Sequence, residues 1–110
     1  MDEFLTSIWN NVSTYEIDSA AATITLSFSP GERFIVLHLW LQAEAGTDVQ
    51  IRSGSTDISG PIAFAANAEK EWKNAPFPVF KSRAAGDALV IANSTPAQLN
   101  GFAIIAKGVK

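Results

Sequence analysis

A net charge of −3 over 110 residues, with lysines and arginines scattered singly, argues against nucleic-acid binding. The absence of cysteine excludes disulfides and thiolate zinc sites, and no apolar run is long enough to span a membrane. Charged residues make up only 17% of the chain, below the roughly 25% of a typical soluble domain. Either small polar residues cover the surface, or other subunits hide part of it.

The first predicted element is a short apolar stripe near the N-terminus. Phe4, Leu5, Ile8 and Trp9 fall at helical spacing. A helix of about nine residues is too short to be stable alone in water. We therefore expect this segment to dock either on its own domain or on a neighbouring subunit.

From about Ala20 the pattern changes to the period of two that is typical of strands. Ile24, Leu26 and Phe28 alternate with polar residues, which predicts a strand with one wet face. The next strand, "RFIVLHLWLQA", is apolar on both faces. Strict alternation places one set in the core: Ile35, Leu37, Leu39 and Leu41. The other set lies on a second face that another surface must cover: Phe34, Val36, His38 and Trp40.

The stretch "QIRSGSTDISGPIAFAA" resembles either a phosphate-binding loop or a hairpin. Gly60 is followed by Pro61, and no lysine comes before Lys70, so the pattern of a phosphate-binding loop is not met. A hairpin fits better, with a turn at residues 53–55 and a return strand over residues 58–65.

The C-terminal third predicts a break and two further strands. Pro76 and Pro78 exclude a central strand, so the charged stretch around them is a long connection or a sheet edge. Alternating apolar residues then predict two core strands through Leu89, Ile91, Leu99, Ala103 and Ile105. The whole pattern predicts an all-β, single-domain, jelly-roll-like β-sandwich of about seven or eight strands. A short N-terminal helical segment or arm (residues 1–17) would precede a β-sandwich domain (residues 18–110).

No catalytic, cofactor-binding or metal-binding residue is predicted, and we expect no enzyme. His38, the only histidine, lies mid-strand without the partners that a metal site or a serine triad needs. Trp72 lies in a charged stretch, interpreted as a loop, and is the best candidate for a sugar contact. Exposed aromatic residues more often bind protein or pack locally.

Several turns and strand starts resemble those of small jelly-roll or β-sandwich virion proteins of tailed bacteriophages. The matching segments are Ser53 to Thr56, Asp57 to Gly60, Ala85 to Leu89, and Asn100 with Gly101. The resemblance spans roughly residues 20 to 107. It implies a structural role and identifies no chemistry.

What this resemblance implies is a capsid decoration (cement) protein, which binds as a homotrimer to the major capsid protein and stabilises the shell. The alternative is a carbohydrate-binding module associated with a tail or fibre. Either would be made in the host cytoplasm and located in the virion, with the decoration protein on the capsid surface. The predicted interface residues are Phe4, Leu5, Ile8, Trp9, Phe34, Val36, His38 and Trp40.

Overall fold

The computed structural model describes residues 12–73 and 79–108, and its regular elements there are all β-strands. The ten strands are β1 (Val12–Ser19), β2 (Thr23–Leu26), β3 (Arg33–Ala43), β4 (Thr47–Ser53), β5 (Thr56–Asp57), β6 (Ile62–Phe64), β7 (Glu69–Lys73), β8 (Phe80–Lys81), β9 (Leu89–Asn93) and β10 (Leu99–Gly108). The predicted N-terminal helix lies outside the described residues. Within them, no helix is long and apolar enough to cross a bilayer.

The strands form two antiparallel sheets that pack on each other as a β-sandwich. Sheet A has the order β1-β10-β3-β7, with β8 also paired to β3. Sheet B has the order β2-β9-β4-β5, with β6 also paired to β4. The predicted all-β sandwich is confirmed.

The strand pairing is that of a jelly roll. The short strands β5 and β6 both pair with β4, and β7 and β8 both pair with β3. We therefore count β5 with β6 as one strand of the sandwich and β7 with β8 as another, which gives eight strand positions. Of the eight positions that result, the first pairs with the last, the second with the seventh, the third with the sixth and the fourth with the fifth. Such nested pairing arises when one long antiparallel ribbon is rolled into two sheets.

The core lies between the sheets and takes large side chains from both. The alternation predicted for β4, β9 and β10 is confirmed, because their inward positions are fully buried. Ile24, Leu26 and Phe28 also pack against this core, as half-buried residues at the β2 edge. The fully buried side chains include Leu39, Leu41, Val49, Ile51, Leu89, Ile91, Leu99 and Ile105.

The long strand β3 contains a β-bulge at Leu37. His38 lies opposite Ile104, and Val36 lies opposite Ile105, which leaves Leu37 without a partner on β10. A bulge sets two residues against one. Because side chains alternate with a period of two, this one extra residue reverses which positions face the core.

The bulge makes half of the predicted β3 pattern wrong. Phe34 and Val36, predicted on the second face, are fully buried in the core. Ile35 and Leu37, predicted in the core, pack together in a separate cluster. Leu39, on the far side of the bulge, is fully buried as predicted.

The stretch with the glycine-rich turn is a hairpin, as predicted. The chain turns at Gly54, whose φ of 60° suits glycine, and β5 begins directly afterwards. After β5 the regular pairing of the returning chain with β4 is interrupted, because the amides of Ile58 and Ser59 both donate to the carbonyl of Ile51. Pairing with β4 resumes in β6.

The structure also tests two predictions about the edge strands of sheet A. The strand β1 pairs with β10 along its whole length, so the boundary predicted at residue 17 runs through a strand of the sandwich. At the opposite edge, the charged stretch that was predicted to be a connection or a sheet edge begins as the edge strand β7. Residues 74–78, which include both prolines, lie outside the described residues.

Candidate interaction surface on the outer face of sheet A

The outer face of sheet A carries a group of three aromatic side chains and one isoleucine that we call the aromatic patch: His38, Trp40, Phe102 and Ile104. Phe102 lies opposite Trp40, and Ile104 lies opposite His38, so all four share one face. The rings of Trp40 and Phe102 stack with centroids 6.1 Å apart. The His38 ring meets Phe102 edge-on at 5.0 Å.

The aromatic patch is half-exposed, which is unusual for a group of this size and polarity. The His38 side chain retains 22% of its exposure, and the other three residues are also partly accessible. A large aromatic side chain can bury 150–250 Å² in all, and apolar burial stabilises by about 25 cal/mol per Å². Completing the burial of one such ring would therefore contribute about 2–3 kcal/mol before any ordering cost.

Polar residues border the aromatic patch on both sides, and those beside the Trp40–Phe102 row are acidic. Glu16 lies opposite Phe102 on β1, and Glu71 lies opposite Trp40 on β7. The Glu71 carboxylate is 2.7 Å from Nε2 of His38, which fixes the imidazole beside Phe102. Both side chains are partly exposed to water, which screens the pair, so its contribution to stability is about 0–1 kcal/mol. An apolar centre inside a polar rim is the usual anatomy of a protein interface.

The next row along the strands extends the polar rim. Nδ2 of Asn100 donates to Oε2 of Glu44 at 2.8 Å and to Oε1 of Gln42 at 3.4 Å. Nε2 of Gln98 donates to Oδ1 of Asp18 at 2.6 Å. These bonds hold amide and carboxylate groups in place at one end of the aromatic patch.

The outer face of sheet B is different, because its exposed positions are mostly polar. Thr25 is exposed on β2, and Gln50 and Arg52 are half-buried on β4. Nε of Arg52 donates to Oδ1 of Asp57 at 2.8 Å. The sandwich therefore has one polar outer face, interrupted by two apolar residues of β9, and one aromatic outer face.

The structure separates the predicted interface residues into three groups. His38 and Trp40 lie on the outer face of sheet A, where an interface can form. Phe34 and Val36 lie in the core, so their assignment to an interface is wrong. The four N-terminal residues of that prediction lie outside the described residues.

Sequence reasoning missed two members of the aromatic patch, Phe102 and Ile104. Both alternate with core residues in β10, as Trp40 does in β3. The signal was therefore present in the sequence. What the sequence did not show is that β10 and β3 are neighbours, which brings the two outward rows together.

Trp72 does not lie in a loop. It belongs to β7 and pairs with the inward residue Leu39, so its indole packs against the core. Its ring centroid is 6.2 Å from that of Phe80, which also contacts the core. The predicted loop position is wrong, and this removes the basis on which a sugar contact at Trp72 was predicted.

The buried polar side chains of the described residues take part in structural hydrogen bonds. No group of three or more His, Asp or Glu side chains in the described ranges could hold a metal ion. Among the same residues, every buried side-chain nitrogen or oxygen has a hydrogen-bond partner. The most extensive buried network joins Thr47, Asn93 and Ala97 at one end of the sandwich.

Comparison with protein-family models and with curated proteins finds no match to this sequence. Among solved structures, the chain is similar to the coat protein of tobacco streak virus. One structure, at 2.1 Å resolution, has 13% identity and a TM-score of 0.47, and the match covers 91% of this chain and 88% of that chain. A structure of the coat protein dimer at 2.4 Å has 17% identity and a TM-score of 0.46, with 92% and 88% covered.

Proposed function

We propose that this chain is a virion structural protein, a homotrimeric capsid decoration protein that binds the major capsid protein and stabilises the shell. The copies associate through the aromatic patch on the outer face of sheet A. The half-exposed stack of Trp40 on Phe102 is the observation that carries the proposal.

The geometry supports burial of the aromatic patch against a protein surface, which we assign to other copies of this chain. Two stacked rings and an isoleucine form one continuous apolar area, and carboxylates border the row that contains the two rings. Tryptophan is among the residues most enriched at the energetic centres of interfaces. The polar outer face of sheet B makes that side a poor competitor for the same role.

The assignment to a virion rests on a separate argument. The turn segments at residues 53–60 and 85–89 resemble those of small phage virion proteins. Those segments form the β4–β5 hairpin and the start of β9, at the same end of sheet B. Gly54 N donates to the carbonyl of Ala88 at 2.8 Å, so the two segments are in direct contact.

The test is co-sedimentation of the purified chain with empty capsids of the virus that encodes it. We expect the wild-type chain to sediment with the shells. We expect Trp40→Ser to bind more weakly, because loss of the trimer removes the simultaneous attachment of three copies. Thr25→Ser, on the exposed polar face of sheet B, is the matched control and should bind as the wild type does.

Two results would contradict this assignment. One is a wild-type chain that leaves the capsids unbound. The other is specific binding to a glycan array that Trp40→Ser abolishes, which would favour the carbohydrate-binding alternative.

A further inference from the structure

The aromatic patch contains a side chain whose charge can change near neutral pH. His38 is the only histidine of the chain, and its Nε2 lies 2.7 Å from Oε2 of Glu71. A carboxylate can only accept a hydrogen bond, so Nε2 carries the proton that joins the two groups. Histidine is the residue type that ordinarily gains or loses its charge between about pH 5 and pH 8. The charge of the patch therefore depends on pH.

Protonation of His38 decides whether the pair with Glu71 carries a net charge. With a neutral imidazole, the pair has the single negative charge of the carboxylate. With an imidazolium, the pair has no net charge, and a charge-assisted hydrogen bond joins two opposite charges.

The other charged groups on the outer face of sheet A add an excess of negative charge. Lys73 lies directly opposite His38 on β7, and Lys81 lies farther along the face, opposite Ile35. On β10 the neighbour of His38 is the uncharged Ile104. The row with Trp40 and the row after it end in carboxylates on both sides: Glu16, Asp18, Glu69 and Glu71.

Two of these groups act on the imidazole in opposite directions. Lys73 repels an imidazolium, but the lysine is exposed, so water screens its charge. The Glu71 carboxylate is in direct contact with the ring, and Coulomb interactions weaken with distance and with solvent screening. The attraction of Glu71 is therefore the stronger effect.

Covering the aromatic patch makes this difference in charge important for association. A charge that leaves water without a partner is costly, whereas a hydrogen-bonded pair of opposite charges is compensated. A second copy would enclose an uncompensated carboxylate if His38 were neutral, and a compensated pair if His38 were protonated. Each copy also brings its own excess of carboxylates, and like charges across an interface disfavour association. Both effects favour association of the protonated form.

We propose that protonation of His38 controls association through the aromatic patch, which is tight at about pH 5.5 and weak at about pH 8. The inference rests on the proposed self-association and adds its regulation. Because association takes up protons, each proton bound strengthens it by up to about tenfold per pH unit.

The test compares the dissociation constant of the oligomer at about pH 5.5 and about pH 8, measured by sedimentation equilibrium. We expect the wild-type chain to associate at least about tenfold more tightly at the lower pH. His38→Gln should lose this dependence, because its amide can donate to Glu71 but cannot gain a charge. Glu71→Gln should reduce it, because protonation then leaves an imidazolium without its partner. Circular dichroism checks that each variant keeps its β-sheet.

The three proteins share every other group that titrates in this range, including the N-terminal amine. A wild-type oligomer with equal dissociation constants at both pH values would overturn this inference and leave the proposed self-association standing. The same pH dependence in the wild type and in His38→Gln would also overturn it, because another group would be responsible. A wild-type chain that is monomeric at both pH values would contradict the self-association and this inference together.

A second measurement needs no variant. When the wild-type oligomer is diluted at about pH 6.5, we expect dissociation to release protons to the buffer. The heat of dilution should then differ between two buffers of different ionisation enthalpy. Equal heats of dissociation in the two buffers would contradict the proposal.

Discussion

Val36 and His38 are two residues apart in one strand and lie on opposite faces of sheet A. Val36 is fully buried in the core, and His38 belongs to the outer aromatic patch. Residues at this spacing normally share a face, and the bulge at Leu37 separates them. The same bulge brings Leu37 and His38 onto the outer face next to each other. It therefore determines both the content of the core and the composition of the candidate interaction surface.

The bulge predicts losses of very different size for two neighbouring truncations. Phe34→Ala should lower the free energy of unfolding by about 3–5 kcal/mol, because Phe34 is fully buried and stacks on Phe28 at 5.4 Å. Ile35→Ala should cost clearly less, because Ile35 is half-exposed on the outer face. Urea denaturation of both variants measures the difference. A larger loss for Ile35→Ala would mean that β3 has no bulge.

Gly101 is the second position where the backbone geometry of sheet A can be tested. A Cβ added there would overlap the backbone carbonyl oxygen of Trp40 on the neighbouring strand. Gly101 also has a φ of 155°, which side chains rarely adopt. We expect Gly101→Ala to destabilise the protein by about 3 kcal/mol or more in thermal or urea unfolding. Gly60→Ala, where the space around the added Cβ is open, is the control and should change little.

Asn93 tests the buried polar network at the end of the sandwich. Its side chain is 2% exposed, accepts a hydrogen bond from Oγ1 of Thr47 at 2.6 Å and donates one to the carbonyl of Ala97 at 2.8 Å. Asn93→Ala leaves the hydroxyl proton of Thr47 without an acceptor and the carbonyl of Ala97 without its donor, although Thr47 Oγ1 still accepts from the amide of Thr95, and each buried group left unpaired costs about 1–3 kcal/mol. We expect a loss of at least about 2 kcal/mol in urea unfolding.

Asn100→Ala is the matched control for this change. The Asn100 side chain makes three hydrogen bonds, but it is half-exposed on the outer face, so water can replace them. Equal losses in the two variants would show that burial of the Asn93 network contributes little.

Strand periodicity in the sequence was enough to predict the sandwich. Val49 and Ile51 in β4, and Leu89 and Ile91 in β9, are fully buried as predicted. In β4 the apolar residues alternate with polar ones, which identifies the inward side, and in β9 the larger apolar residues alternate with the smaller Val90 and Ala92. The hairpin at Gly54 was predictable for a similar reason, because its turn residues separate two such strands.

The bulge and the first strand were not predictable from the same pattern. In "RFIVLHLW" every position is apolar or aromatic after Arg33, so alternation has no polar residue that could reveal the shift at Leu37. In β1 only Tyr15 and Ile17 are large inward residues, and Ser13 and Ser19 share their face, so the strand reads as polar. The aromatic patch could not be predicted from either strand alone, because it forms only where β3 pairs with β10, and that pairing is a property of the fold.

The central claim is that copies of the chain associate through the aromatic patch, and light scattering after size exclusion tests it most directly. At micromolar concentration we expect the wild-type chain to have about three times the 11.8 kDa mass of one copy. Trp40→Ser should keep the β-sheet circular dichroism of the wild type and shift toward the mass of a monomer, while Thr25→Ser should keep the mass of the trimer. A wild-type mass near 11.8 kDa, or a Trp40→Ser mass equal to that of the trimer, would contradict the claim.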